Sequence, residues 1–179
     1  EIVVSTTLGV ATERGEKLFR IGGFIDRLDA VAANGNPSAG GNLAERIRVI
    51  DYKTGRAQAT HPKDIDEVFG TTPQAMNKHS DYYLQAILYS LIIKNDRRFN
   101  PAQEPVSPGL LFIQNAGSED YDSTLKLGKE LLSDVAPLEA EFTEHLRSLL
   151  ADIYNPAVPL KPTEDKKRCI YCPYAALCK

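Results

Sequence analysis

Residues 46–55 read RIRVIDYKTG: apolar residues alternate through Ile47 and Val49, and the run ends on Asp51 and Lys53, two positions apart. Such alternation marks a strand, whose successive side chains point to opposite faces. Ile47, Val49, Asp51 and Lys53 then share one face, with the two charges about 7 Å apart along it. An apolar row leading into an acid and a lysine is either a solvated strand tip or half of a catalytic site.

Upstream, residues 2–8 are β-branched and apolar, GEKLFRIGGFIDRLDAVAA (15–33) is strand-like around Gly22 and Gly23, and NGNPSAGGN (34–42) is a turn-rich connection into LAERIRVIDYK. The simplest arrangement is an antiparallel meander. Residues 56–80 carry Pro62 and Pro73, and only DIDEVF reads as a short helical turn. From Asp81 to Asn95 there is no Gly or Pro, and Leu84, Ile87, Leu88, Leu91 and Ile92 recur at helical spacing, with Ser80 or Asp81 as the cap. NPAQEPVSP breaks the chain, GLLFIQN (109–115) is a short strand, and 119–152 reads as a long acidic amphipathic helix interrupted at Pro137. The order is β-β-β-α-β-α, an α/β chain.

With 179 residues, 42% of them hydrophobic and 25% charged, the composition is that of one soluble domain with a sizeable core. A formal net charge of −3 gives no general attraction to nucleic acid, so DNA binding requires a local basic groove or a partner. No apolar run reaches the length of a membrane span and no secretion signal opens the chain, which makes a cytoplasmic protein the default. Met76 is the sole methionine and residue 1 falls inside a strand, so the chain is expected to be part of something longer.

In GFIDRLD, strand alternation places Phe24, Asp26 and Leu28 on one face and Ile25, Arg27 and Asp29 on the other. Two aspartates on core-leaning faces need compensation, because burying an unpaired carboxylate costs several kcal/mol. A divalent cation between Asp26 and Asp51 meets that need, since carboxylates, a backbone carbonyl and waters are the ligands that Mg²⁺ prefers. The simpler alternative pairs Asp26 with Arg27 or Lys53 and lets Asp51 begin a turn that Gly55 completes. Gln85 and Tyr89, four apart on one helical face, add a long amide and a phenol that reach toward the strand ends.

GFIDRLD, VIDYKTG and QAILY together resemble the second and third nuclease motifs and the Gln-Tyr helix motif of the RecB-like branch of the PD-(D/E)XK nucleases. The resemblance implies a restriction-endonuclease-like core, a central mixed sheet flanked by helices, and Mg²⁺- or Mn²⁺-dependent cleavage of DNA. It implies Asp26, Asp51 and the main-chain carbonyl of Tyr52 as metal ligands, Lys53 as the catalytic cation, Gln85 as its support and Tyr89 on a DNA-facing helix. Family members usually carry a His or Glu on a helix ahead of the first strand, and Glu1 matches a glutamate often found beside that strand. Residues 1–155 are expected to form the core without that helix, in which case this stretch alone can be inactive. A DNA substrate and a helicase domain or subunit as partner follow from the same resemblance. The alternatives are a catalytically silent DNA-binding or scaffold module and a cysteine-metal interaction module.

Cys169, Cys172 and Cys178 are all the cysteines of the chain, in CIYCPYAALC. C-x2-C spacing points to metal, but a structural Zn²⁺ site and an iron-sulfur cluster each take four ligands. The tail is similar to that of AddB-like nucleases, in which a fourth cysteine ahead of the core completes a [4Fe–4S] cluster. The resemblance therefore implies a cluster in the full-length protein and an incomplete one here, on an irregular tail (156–179) packed against the core. His61, His79 and His145 are scattered. KNDRR (94–98) and EDKKRC (164–169) line a DNA path or form a solvated face. The acidic helix is expected to pack outward or meet a partner domain.

Overall fold

The computed structural model describes residues 1–13, 15–31, 46–55, 60–118, 121–159, 169–170 and 172–178. β1 (Ile2–Thr12) and β2 (Gly15–Ile25) form an antiparallel hairpin, in register from Ile2 opposite Ile25 to Thr12 opposite Gly15. Gly15 turns the chain at φ +96°, a left-handed backbone natural to glycine, and the Thr12 hydroxyl donates to its carbonyl at 2.7 Å.

The strand-like stretch 15–33 is not one strand. It bends at Asp26 and continues as β3 (Arg27–Val31), antiparallel to β4 (Arg46–Lys53). β5 (Val106–Phe112) runs parallel to β4 on its other side, with Asp51 opposite Leu110 and Lys53 opposite Phe112. The antiparallel meander is thereby corrected to a mixed sheet in the order β3-β4-β5 beside a two-stranded hairpin. The mixed sheet flanked by helices expected for a restriction-endonuclease-like core is present. The connection at 34–42 lies outside the described residues.

Parallel strands require a crossover, and between β4 and β5 it contains α1 (Ile65–Val68), α2 (Pro73–Asn77) and α3 (Ser80–Asn95). DIDEVF does turn: Asp64 caps α1, accepting from the N–H of Glu67 at 2.9 Å. α3 packs across β4, β5 and the hairpin, and every residue from Ala86 to Ile93 is buried. Its aliphatic hydroxyl in that run, Ser90, donates back to the Ala86 carbonyl at 2.8 Å, which satisfies it inside the helix. Burial of side chains such as Ile87 and Ile93 contributes about 1.5–3 kcal/mol each. Neither Ser80 nor Asp81 is the cap. The helix begins at Ser80 itself, preceded by His79 in the left-handed region at φ 55°.

β5 begins three residues earlier than its apolar run, with Pro108 inside it. The N–H groups of Val106, Leu110 and Phe112 point away from β4, to Asp134 Oδ1, the Ser123 carbonyl and the Tyr121 hydroxyl. Pro108 shares that parity, so its missing N–H removes no bond to β4.

The long helix read over 119–152 is half right. Gly128, at φ +61°, turns the chain between β6 (Lys126–Leu127) and β7 (Glu130–Leu131), and its N–H donates to the Pro62 carbonyl at 2.9 Å. After a 3₁₀ turn at Ala136–Leu138, α4 (Glu139–Ile153) begins directly beyond Pro137. Leu138, Phe142, Leu146 and Leu150 form its inward stripe, set against β1 and α1. Lys94 and Asn95 tie α3 to Glu139 at 2.9 and 2.7 Å. No helix among the described residues is long and apolar enough to cross a membrane.

Candidate active site

Asp51 and Lys53 stand at the end of β4, where the buried row Ile47, Val49 continues into charge as strand alternation requires. Asp51 is 6% exposed, and Lys53 Nζ lies 2.6 Å from its Oδ2. That approach is off the direction a hydrogen bond needs, so Oδ2 is a buried carboxylate oxygen with a cation beside it and no hydrogen bond among the described residues. Lys53 is thus the charge partner of this oxygen.

Lys53 is held from two further directions. Its Nζ donates to Gln85 Oε1 at 3.1 Å and lies 4.2 Å from the centre of the Tyr82 ring. Ammonium groups only donate, so the amide oxygen faces Lys53 and the amide nitrogen donates outward to the Tyr89 hydroxyl at 3.4 Å. Tyr82, Gln85 and Tyr89 follow one another at three- and four-residue spacing, which puts all three on the helix face toward β4. Tyr82 was the member missed in the sequence, although its spacing from Gln85 carried the signal.

The Tyr89 side chain is turned inward. It is 8% exposed, and its hydroxyl abuts Gly23 so closely that a side chain at Gly23 would occupy the same space. Gly23 allows this approach, and the Tyr89 hydroxyl accepts from the Gln85 amide.

Asp26 occupies the bend between β2 and β3. The bend shifts the alternation by one residue: Ile25 is fully buried, Phe24 is 58% exposed, and past Asp26 it is Leu28 that packs on the core. Asp26 is thus released from the strand pattern and pairs with neither Arg27 nor Lys53 among the described residues. Arg27 binds Asp29 at 2.6 Å, and hydrogen bonds to Asp29 and then Tyr52 raise its pKa. Asp26 Oδ2 instead accepts from the N–H of Tyr52 at 2.7 Å. Since Arg27 pairs with Ile50, Asp26 stands opposite Asp51. The hairpin register ends with Ile2 opposite Ile25, one residue after Glu1 and one before Asp26.

The donor set fits a hard divalent cation. Asp26, at the bend, is bonded to the Tyr52 N–H, and Asp51, the residue before Tyr52, presents a buried oxygen with no hydrogen bond among the described residues. Among the described residues no group of three or more His, Cys, Asp or Glu side chains is placed to hold a metal ion; a hard cation held by two carboxylates takes waters in its remaining positions.

The cysteines are less complete. Cys169 and Cys172 are unpaired and half-buried on one turn, with the Cys172 N–H donating to the Cys169 carbonyl at 3.3 Å, while the side chain of Cys178 lies outside the described set. A [4Fe–4S] cluster takes four thiolates, and the chain has three cysteines, so these residues alone do not complete one. The basic run 94–98 is engaged: Lys94 holds Glu139, Arg98 forks onto Asp96 at 2.6 Å, and Arg97 donates to the Pro101 carbonyl. The second run, 164–169, lies almost wholly outside the described residues.

No curated protein and no solved structure matches the chain. A family model does, and it spans residues 2–179, nearly the whole length. An acid at the β2–β3 bend and another at the end of β4, the latter followed two positions later by a lysine that α3 grips, are thus found in a chain that belongs to the PD-(D/E)XK nuclease superfamily.

Proposed function

We propose that this chain is the nuclease module of a larger DNA recombination or repair enzyme of the RecB-like, AddB-like type, cleaving DNA from ends with Mg²⁺ or Mn²⁺. The observation that carries the reading is the Asp51–Lys53 contact at 2.6 Å, gripped by Gln85 and set opposite Asp26. A relic of the fold kept for binding or scaffolding has no need to hold a lysine from three sides.

In phosphodiester hydrolysis a water attacks phosphorus, one P–O bond breaks, and negative charge accumulates on the phosphoryl oxygens. Asp26, Asp51 and the Tyr52 carbonyl are the groups that would hold the cation, which when bound lowers the pKa of water and neutralises phosphate charge. Lys53 directs its ammonium toward the water or the developing charge. Gln85, fixed by Tyr89, keeps the lysine from turning wholly onto Asp51.

Residues 1–155 are assigned to the nuclease core and 156–179 to the cysteine tail, whose thiols join a fourth in the full-length protein to hold a [4Fe–4S] cluster. A helicase domain or subunit supplies DNA ends, in the cytoplasm. The test is degradation of linear DNA by the full-length protein with Mg²⁺ or Mn²⁺. Asp51→Ala and Lys53→Ala should each abolish cleavage with the fold intact by circular dichroism; parental rates in both overturn the assignment.

A further inference from the structure

The residue that opens α3 divides its work between backbone and side chain. His79 stands in the left-handed region, at φ 55° and ψ 43°, and its carbonyl accepts from the N–H groups of Tyr82 and Tyr83 at 3.0 and 3.2 Å. The carbonyl thus starts the helix, whereas the side chain makes no cap hydrogen bond. A left-handed backbone is strained for most residues other than glycine, and asparagine both tolerates it and can cap a helix. What histidine brings to this position is its ring.

That ring lies flat on Tyr82, with centroids 4.4 Å apart and planes 6° from parallel. Tyr82 in turn carries the Lys53 ammonium 4.2 Å from its ring centre. Phe112, the register partner of Lys53 on β5, completes the cluster at 6.2 Å from His79 and 6.5 Å from Tyr82. Tyr82 is only half-buried, unlike Tyr89, so rotation about its own side-chain bonds can carry it off the lysine and into water. Flat contact with His79 opposes that rotation. A cation–π contact acts only while the ammonium stays over the ring face, so whatever fixes the ring also fixes the lysine.

We infer that His79 is a positioning residue of the reaction: stacked on Tyr82, it holds the ring face against Lys53 and so keeps the ammonium beside Asp51 and Gln85. The inference rests on the nuclease reading and deepens it. His79 needs no contact with phosphate or cation, because it acts through Tyr82.

The test uses the full-length protein. His79→Asn suits the left-handed backbone and removes the ring, and His79→Phe keeps a ring that can stack. His79→Asn should lower kcat on linear DNA about three- to tenfold, the worth of one aromatic pair, with KM unchanged. His79→Phe should bring kcat back to within about twofold of the parent. In Tyr82→Leu, which has no ring to hold, His79→Asn should lower kcat no further. A spectroscopic reading needs neither DNA nor metal. With lysine isotope-labelled at Cε, the Lys53 Hε signal is identified by its loss in Lys53→Arg. It should lie upfield in the parent and in His79→Phe, under the Tyr82 ring current, and return toward the ordinary lysine position in Tyr82→Leu and His79→Asn. His79→Gly, which takes the same backbone freely, gives the same reading if the asparagine variant folds poorly.

An unmoved Lys53 signal in His79→Asn, a loss of kcat that adds to that of Tyr82→Leu, or a rise in KM in place of the fall in kcat would each overturn the inference. If Asp51-dependent cleavage persists in those cases, the stack fails and the nuclease reading stands. A Lys53 signal that follows His79 in a protein that cleaves no DNA keeps the stack and sinks the nuclease reading.

Discussion

Asp26 Oδ2 accepts a hydrogen bond from the N–H of Tyr52 at 2.7 Å, which fastens the carboxylate at the β2–β3 bend to the peptide between Asp51 and Lys53. The bond places Asp26 and its charge supplies the chemistry, and two variants separate these roles. Asp26→Asn keeps an acceptor oxygen and should melt within a few degrees of the parent while losing cleavage about a hundred- to a thousandfold. Asp26→Ala should lose the same activity and about 1 kcal/mol of stability besides, measured by urea unfolding. Near-parental cleavage by Asp26→Asn would remove Asp26 from the site.

Lys53 is positioned by a hydrogen bond from one side and a ring face from the other, and neither Gln85 nor Tyr82 need touch the phosphate. Gln85→Met and Tyr82→Leu should therefore each lower kcat about tenfold, the worth of one oriented hydrogen bond or cation–π contact, and leave KM unchanged. A rise in KM with kcat intact would make these residues DNA contacts instead.

The centre was legible because its parts obey local periodicity. Asp51 and Lys53 follow from alternation in β4, and Gln85 and Tyr89 from the four-residue repeat of α3. What escaped depends on distant partners. Nothing local to 15–33 announces a bend at Asp26, which the fold imposes where the chain leaves the hairpin and joins the mixed sheet. The parallel pairing of β5 hangs on the α3 crossover and on Pro108 facing away from β4. The leucines of 125–132 imitate a helix, and only Gly128 in the left-handed region, bonded to Pro62, shows them to be a hairpin. Tyr89 lies on the same helix face as Gln85, as the spacing implies, and that face is packed against Gly23.

Acid should unfold the protein by releasing carboxylates that the fold holds ionised. The hydrogen bond from Lys78, then that from the Lys63 N–H, lowers the Glu67 pKa below its ordinary 4.5. At Glu139 burial pushes the pKa up, but hydrogen bonds from Lys94 and Asn95 together outweigh it and leave it below 4.5. A depressed folded-state pKa contributes stability that is fully present above the unfolded value and is lost as pH falls through the folded one. Melting temperature should thus hold steady above about pH 5 and decline below about pH 4.5. Glu139→Gln should lower the neutral-pH value and flatten the decline; an unchanged slope would show that Glu139 gains nothing from Lys94 and Asn95.

Gly23 and Tyr89 offer the sharpest test of how the helix grips the sheet. A Cβ at Gly23 would collide with the Tyr89 hydroxyl and come within 2.9 Å of the ring carbon that bears it. Gly23→Ala should therefore destabilise by about 1–3 kcal/mol, the usual cost of overpacking. It should also lower cleavage, since the hydroxyl it displaces anchors the Gln85 amide. Tyr89→Phe removes the oxygen and leaves the ring, so the double variant should regain part of the stability lost in Gly23→Ala and none of the activity. Stabilities are read by urea unfolding and combined as a double-mutant cycle. Strict additivity of the two substitutions would mean that Gly23 and Tyr89 do not meet in solution, and the anchoring of Lys53 through Gln85 would lose its base.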